Sequence, residues 1–196
     1  MLELAVLGLL HESPMHGYEI RKRLTELLGP FRAFSYGSLY PALRRAQDAG
    51  YIAEEDGPGP SKRRARRVYG LTPAGQERFS ALVADTGPQN YTDDGFGVHL
   101  AFFTATPAQA RLRILEGRRR QVEERREELR RALAAGGTSE TYTRQLHELG
   151  LETTEREVRW LNELIAAESR SATQDRPARS APGAERPTPT EGNNGD

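Results

Sequence analysis

Cysteine is absent from the 196 residues, so a disulfide framework and a thiolate-held metal site are both excluded, and a reducing compartment suits the chain. Histidine is sparse. His11, His16, His99 and His147 are scattered, with no pair one helical turn apart to start a metal site. Long apolar runs are missing as well, since none approaches the ~18 residues needed to cross a bilayer. The apolar start MLELAVLGLLHESP has no basic leader and no small-residue cleavage site, which predicts a buried helix and not a secretion signal. Nothing resembles the lysine-bearing glycine loop of a nucleotide-binding enzyme. Asp85-Thr86-Gly87 spells the aspartic-protease tripeptide, but it lies between helices, away from the β-rich scaffold and second carboxylate that chemistry needs. No catalytic residue, metal or cofactor is expected, and the chain reads as a non-enzyme.

Net charge is also lacking: 28 Lys and Arg offset 28 Asp and Glu. The distribution is uneven, however. Residues 1–80 hold 12 cations against 9 anions, and five of those cations fall within Ser61–Arg67. Arginine dominates, with Lys22 and Lys62 the sole lysines, and its fork suits phosphate and guanine.

Apolar periodicity predicts a helix over 2–10 that stops at Ser13-Pro14, and a second over 18–28 with Ile20, Leu24 and Leu27 on one face. A third spans 38–49, capped by Ser38, with Pro41 in its first turn and Gly50 as a left-handed stop. Two short strands, 51–53 and 67–69, are joined through Gly57-Pro58-Gly59-Pro60, and His16 falls in a turn. Thr72 caps a fourth helix, with Pro73 at its first position. Helix, hairpin and cationic tip in this order describe a winged helix-turn-helix.

At 100° per residue, Leu39, Ala42, Leu43 and Ala46 share the core side of the third helix. The other side presents Arg44 and Arg45, flanked by Tyr40 and Ser38. Such a helix fits a major groove, where arginine forks onto guanine and tyrosine or serine holds a phosphate or base edge. Alone, the two arginines also describe a solvated face. The wing tip Lys62, Arg63, Arg64, Arg66 and Arg67 decides for DNA, because that cluster repels itself and gains most from a polyanion.

Residues 85–97 read as a turn-rich connector. Thr106-Pro107-Ala108-Gln109 reads as a capping box opening a helix to about residue 135, with Leu115, Val122 and Leu129 at heptad spacing. Gly136-Gly137 breaks it, and a last helix over 141–168 carries Leu146, Leu149, Trp160 and Leu164 beside a stripe of Leu151, Val158, Leu161 and Ile165. Stripes this wide suit a homodimer, with Leu115, Val122, Leu129, Leu149, Trp160 and Leu164 at its interface. The alternative is an intramolecular hairpin packed on the winged helix. The charged run from Arg118 to Arg131 reads as a solvated face of i,i+4 pairs. Tyr91, Phe96, His99, Phe102, Phe103 and Trp160 suit either a pocket for a planar effector or a core. Residues 169–196 are rich in Pro, Gly, Ser, Thr and charge and are expected to be disordered. The fold class is thus mainly α with a small β-hairpin: a DNA-binding winged helix over 1–84, a linker and long-helix dimerisation domain over 85–168, and a tail.

His16-Gly17-Tyr18-Glu19-Ile20, Gly37-Ser38-Leu39-Tyr40-Pro41-Ala42-Leu43, Gly50-Tyr51-Ile52 and Tyr69-Gly70-Leu71-Thr72-Pro73-Ala74-Gly75 together resemble the PadR family of bacterial transcriptional regulators. Phe96-Gly97-Val98-His99-Leu100-Ala101-Phe102-Phe103 and the two helices beyond look like its longer, virulence-activator-related branch. The resemblance implies a cytoplasmic, nucleoid-associated homodimeric repressor on a palindromic operator of double-stranded DNA, released in some members by small molecules. By motif position it implies DNA contacts at Tyr18, Ser38, Tyr40, Lys62 and Arg64. The chain departs from the pattern at Ala46, usually leucine, and at Tyr51, usually a smaller aliphatic. A winged helix that docks on a protein instead of DNA is the rival reading, and the five-cation wing is what separates the two.

Overall fold

The computed structural model describes residues 1–28, 36–55, 67–135 and 141–174. Helix α1 (Leu2–Glu12) is buried along seven consecutive residues, Leu4 to Leu10, because it threads between the other elements of the N-terminal half. Strand β1 (Met15–His16) leads directly into α2 (Gly17–Leu28), and α3 (Tyr36–Asp48) follows. Strands β2 (Ile52–Glu55) and β3 (Val68–Leu71) form the hairpin. The sheet is antiparallel with order β1-β3-β2, so His16 belongs to a strand paired with Val68 and not to a turn. Two residues between Pro14 and a helix start are too few to show period-2 alternation.

Helix α3 starts two residues before Ser38, so Ser38 is not its cap and Pro41 lies in its second turn. Pro41 lacks an N–H, which leaves the Gly37 carbonyl without its usual i+4 donor. The helix ends as expected: Gly50 has φ 73°, the Gly50 amide bonds the Gln47 carbonyl at 2.9 Å, and the Tyr51 amide bonds that of Ala46 at 2.9 Å. Helix α4 (Pro73–Ala84) is capped by Thr72, whose Oγ1 accepts from the Gly75 amide at 3.0 Å. The same hydroxyl lies 2.6 Å from the Gly50 carbonyl, and the Thr72 amide donates to the Tyr51 carbonyl at 3.0 Å. The end of α3 and the start of α4 are therefore tied at one corner, which sets the hairpin's angle to α3.

The connector is more ordered than its glycines suggest. Thr92 accepts from the Gly95 amide at 3.1 Å and caps α5 (Asp93–Ala101), a helix that the turn-rich reading of 85–97 missed. Thr106 does not cap the next helix; its hydroxyl donates to the Phe102 carbonyl at 2.9 Å, and α6 (Ala108–Ala134) begins after Pro107. Helix α7 (Thr141–Gln174) packs along α6 and runs six residues past its expected end. Extending an anchored helix is cheap once nucleated, and the first proline comes at Pro177. The remainder of the tail, 175–196, lies outside the described residues, as does Gly136-Gly137.

Two apolar cores result. One gathers α1, α2, α3, the sheet and α4; the other gathers α6 and α7 around Ile114, Leu115, Val122, Val158 and Leu161. Helix α5 serves both: Val98 and Phe102 pack into the first, Phe96 and Leu100 into the second. The Phe102 ring lies directly over Gly8 of α1, where any Cβ would collide with it, and meets Phe79 edge-on at 6.1 Å.

Candidate nucleic-acid interface

Leu39, Ala42, Leu43 and Ala46 are buried, between 1% and 7% exposed, so α3 turns inward the face its periodicity predicts. Arg44 and Arg45 are exposed and form no ion pair with another described residue. Tyr40 is 43% exposed on the same helix, and Tyr18, at the start of α2, is 67% exposed. Ser38 is half-buried beside them. Two exposed aromatics therefore stand beside two guanidiniums that no ion pair ties to another described residue.

Lys62, Arg63, Arg64 and Arg66 lie outside the described residues. Arg67 is within them, exposed, and its guanidinium donates to Glu54 at 3.0 Å across the β2–β3 pair. It therefore serves the base of the hairpin. His16 Nδ1 lies 3.4 Å from the Arg67 carbonyl, tying β1 to the same point.

A second candidate site is a cleft of about 760 Å³ between the end of α2, helix α5 and α7, walled by Leu27, Leu100, Phe96 and Trp160. The Phe96 and Trp160 rings meet edge-to-face at 6.2 Å. Arg118 lines it from beneath, with its guanidinium 5.5 Å from the Phe96 ring centre. Of the other aromatics grouped with these two, Phe102 is buried in the first core, while Tyr91 and Phe103 pack at the edge of the second. His99 is 1% exposed and turns toward α4, where it hydrogen-bonds the Leu82 carbonyl; its Nδ1 has no partner, and burial holds its pKa below the ordinary value.

The charged run of α6 is not the solvated face its i,i+4 spacing implied. The Arg118 side chain is 8% exposed and donates to Asp93 and to Glu157, both at 2.6 Å, and to the Tyr91 carbonyl at 3.3 Å. Arg125 completes the group through Asp93 at 2.7 Å, and Arg130 reaches Glu155 at 2.7 Å. These partners sit on α5 and α7, so the run knits three helices together. The Arg125 hydrogen bond holds the Asp93 carboxyl below its usual range. Burial works against the Arg118 charge, and the bonds to Glu157 and Asp93 outweigh it. One signal was available in the sequence: Arg118 falls between Leu115 and Val122 on their own stripe.

Leu115 and Val122 are fully buried inside the single chain, and Leu129 packs over Gly150 of α7, so these three hold the hairpin itself. Leu164 is half-buried against the second core. Leu149 is 61% exposed and Trp160 39%, with Tyr142 at 81% and Leu146 at 66% on the same helix. Among the described residues there is no metal-binding cluster and no helix long and apolar enough to cross a membrane.

A three-helix core with an inserted β-hairpin, followed by a helical appendage, defines a winged helix-turn-helix protein. Residues 6–81 match the model of the transcriptional regulator PadR-like family. That family consists of transcriptional regulators and not enzymes. The negative transcriptional regulator PadR of Bacillus subtilis (strain 168) is 30% identical over 79 residues, which cover 40% of this chain and 43% of that protein; the match spans less than half of the relative. The crystal structure of Bacillus subtilis PadR in complex with operator DNA aligns at 22% identity over 85% of this chain and 98% of its own, with a TM-score of 0.42. The same protein in complex with p-coumaric acid aligns at 21% identity over 86% and 98%, with a TM-score of 0.40.

Proposed function

We propose that the chain is a homodimeric repressor acting at the nucleoid, which binds a palindromic operator through α3 and the wing and leaves it when a small molecule occupies the α5–α7 cleft. The observation that carries DNA binding is the exposed group Tyr18, Tyr40, Arg44 and Arg45 within the stretch that matches the PadR-like family, with the five-cation segment Lys62–Arg67 following in the sequence. Arg44 and Arg45 would enter the major groove, and Lys62, Arg63, Arg64 and Arg66 would follow phosphates beside it. Residues 1–84 are the reading unit in this account.

Dimerisation is supported by the face of α7 bearing Tyr142, Leu146 and Leu149, exposed by 61% or more, with Trp160 half-covered by Phe96 further along it. A second copy applied to it would place two α3 helices on successive turns of one duplex face.

The effector cleft has aromatic walls at Phe96 and Trp160 and, at its rim, Arg156, exposed and without an ion-pair partner among the described residues. Those features suit a planar aromatic acid, the chemistry of the compound held by the Bacillus subtilis relative. Because α5 packs into both cores, a ligand wedged against Phe96 would reach the winged helix through Phe102 and Gly8. The test is to select bound fragments of genomic DNA with the purified chain. Symmetric fragments near promoters are expected, with release by an aryl acid that also quenches Trp160; fragments without common sequence would contradict an operator-specific role.

A further inference from the structure

A groove of about 1190 Å³ opens beside the proposed DNA face. Its near end is built from His16, Gly17, Tyr18, Tyr40, Arg67 and Tyr69. Its far end is charge-compensated within the chain: Arg23 lies 3.4 Å from Glu12 and 4.0 Å from Glu19, and Lys22 lies 3.7 Å from Glu26. At the near end Arg67 is likewise held by Glu54 at 3.0 Å, so what this end offers an anion is uncharged donors. There the first amides of α2, at Gly17 and Tyr18, have no intrahelical acceptor, and the helix dipole presents its positive end.

Tyr69 forms the floor. It lies on the central strand β3, opposite Met15 and Glu54, and is 8% exposed. Its hydroxyl makes no hydrogen bond with any described residue and is not among the enclosed polar atoms left without a partner, so it opens onto the groove. Burial, and then the neighbouring Glu54 carboxylate, raise its pKa, so the phenol remains a proton donor across the working pH range. Arg44 of α3 and Arg67 of the wing base both lie close enough to act on it electrostatically.

We propose that Tyr69 is a third tyrosine of the DNA-binding face, whose hydroxyl donates to a phosphodiester oxygen of duplex DNA seated between the α2 N-terminus and Tyr40. The inference rests on the DNA-binding reading above and adds a neutral donor to its cationic contacts. One phosphate held at this point touches β3, α2 and α3 together, which fixes the register of α3 against the wing on the duplex.

The full-length Tyr69→Phe variant keeps the ring and removes only the hydroxyl. Binding to a selected operator fragment and to an unrelated duplex is measured across a salt series, with thermal unfolding alongside. Affinity is expected to fall about tenfold on both duplexes, the usual worth of a hydrogen bond to a charged group. The salt slope stays unchanged, because a phenol releases no counterion. Wild-type affinity in Tyr69→Phe, beside weakened binding in Tyr40→Phe, overturns this inference and leaves the DNA-binding reading intact. A lowered melting midpoint accompanying the loss also overturns it, since the hydroxyl then serves the fold. Failure of the wild-type chain to bind any duplex overturns both.

Discussion

Replacing Arg118 with methionine tests whether the α5–α6–α7 junction is held by charge or merely decorated with it. Methionine fills similar space without the guanidinium, so the loss is electrostatic and not a cavity. Breaking a buried pair by removing one partner costs about 3–5 kcal/mol when the other charge is stranded. Here the two carboxylates are stranded unequally. The Asp93 side chain is 59% exposed and keeps Arg125 at 2.7 Å, so it contributes little to the loss. The Glu157 side chain is 23% exposed and loses its sole hydrogen-bonded cation among the described residues. A destabilisation of about 2–3 kcal/mol follows, below the fully buried limit. Urea unfolding followed by circular dichroism reads it: with an m-value of about 2 kcal/mol per molar, the midpoint drops by roughly 1 M. Trp160 fluorescence reports the same junction, since that ring packs on Phe96, the ring next to the Arg118 guanidinium. The double variant Arg118→Met with Glu157→Gln removes the stranded charge and is expected to recover more than half of the loss. An unchanged midpoint in the single variant, or no recovery in the double, refutes the reasoning.

His99 predicts a pH response. Its pKa in the folded chain lies below the ~6.5 of an unfolded histidine, because burial disfavours the imidazolium. The unfolded state therefore takes up the proton first as pH falls, and stability present above about pH 6.5 is lost below it. The melting midpoint is expected to fall as pH drops below about 6.5 in the wild type and less so in His99→Gln; parallel curves contradict this. For the proposed dimer, Leu146→Glu with Leu149→Glu is expected to halve the mass seen by light scattering while leaving helicity intact, and an unchanged mass removes this face of α7 from the interface.

The elements whose local chemistry matches their final state were legible from the residues alone. The core face of α3, its Gly50 stop and the Thr72–Pro73 start of α4 each rest on a period or cap that acts within a few residues. What was not legible depends on partners distant in sequence. The strand at Met15–His16 exists because β3 lies beside it, and two residues cannot announce that. Helix α5 hides behind glycines and aspartates, and it is stabilised by the Thr92 cap and by burial of Phe96, Val98 and Phe102 in two cores. Thr106 was drawn to a backbone carbonyl behind it in place of the cap its motif suggested. Arg118 reads as one cation among many until α5 and α7 bring Asp93 and Glu157 to it. Local signals thus carried the proposed DNA-facing surface, while the cleft and its buried arginine required the tertiary structure.

The central claim is that this chain carries duplex DNA on α3 and the wing, and the slope of affinity against salt tests it most directly. A dimer neutralising roughly 6–10 phosphates predicts log K falling with log salt at about −5 to −9. Alanine at Lys62, Arg63, Arg64, Arg66 and Arg67 should flatten that slope with the oligomeric state unchanged. A nearly flat dependence in the wild-type chain, or a slope that survives removal of the five wing cations, would contradict the account.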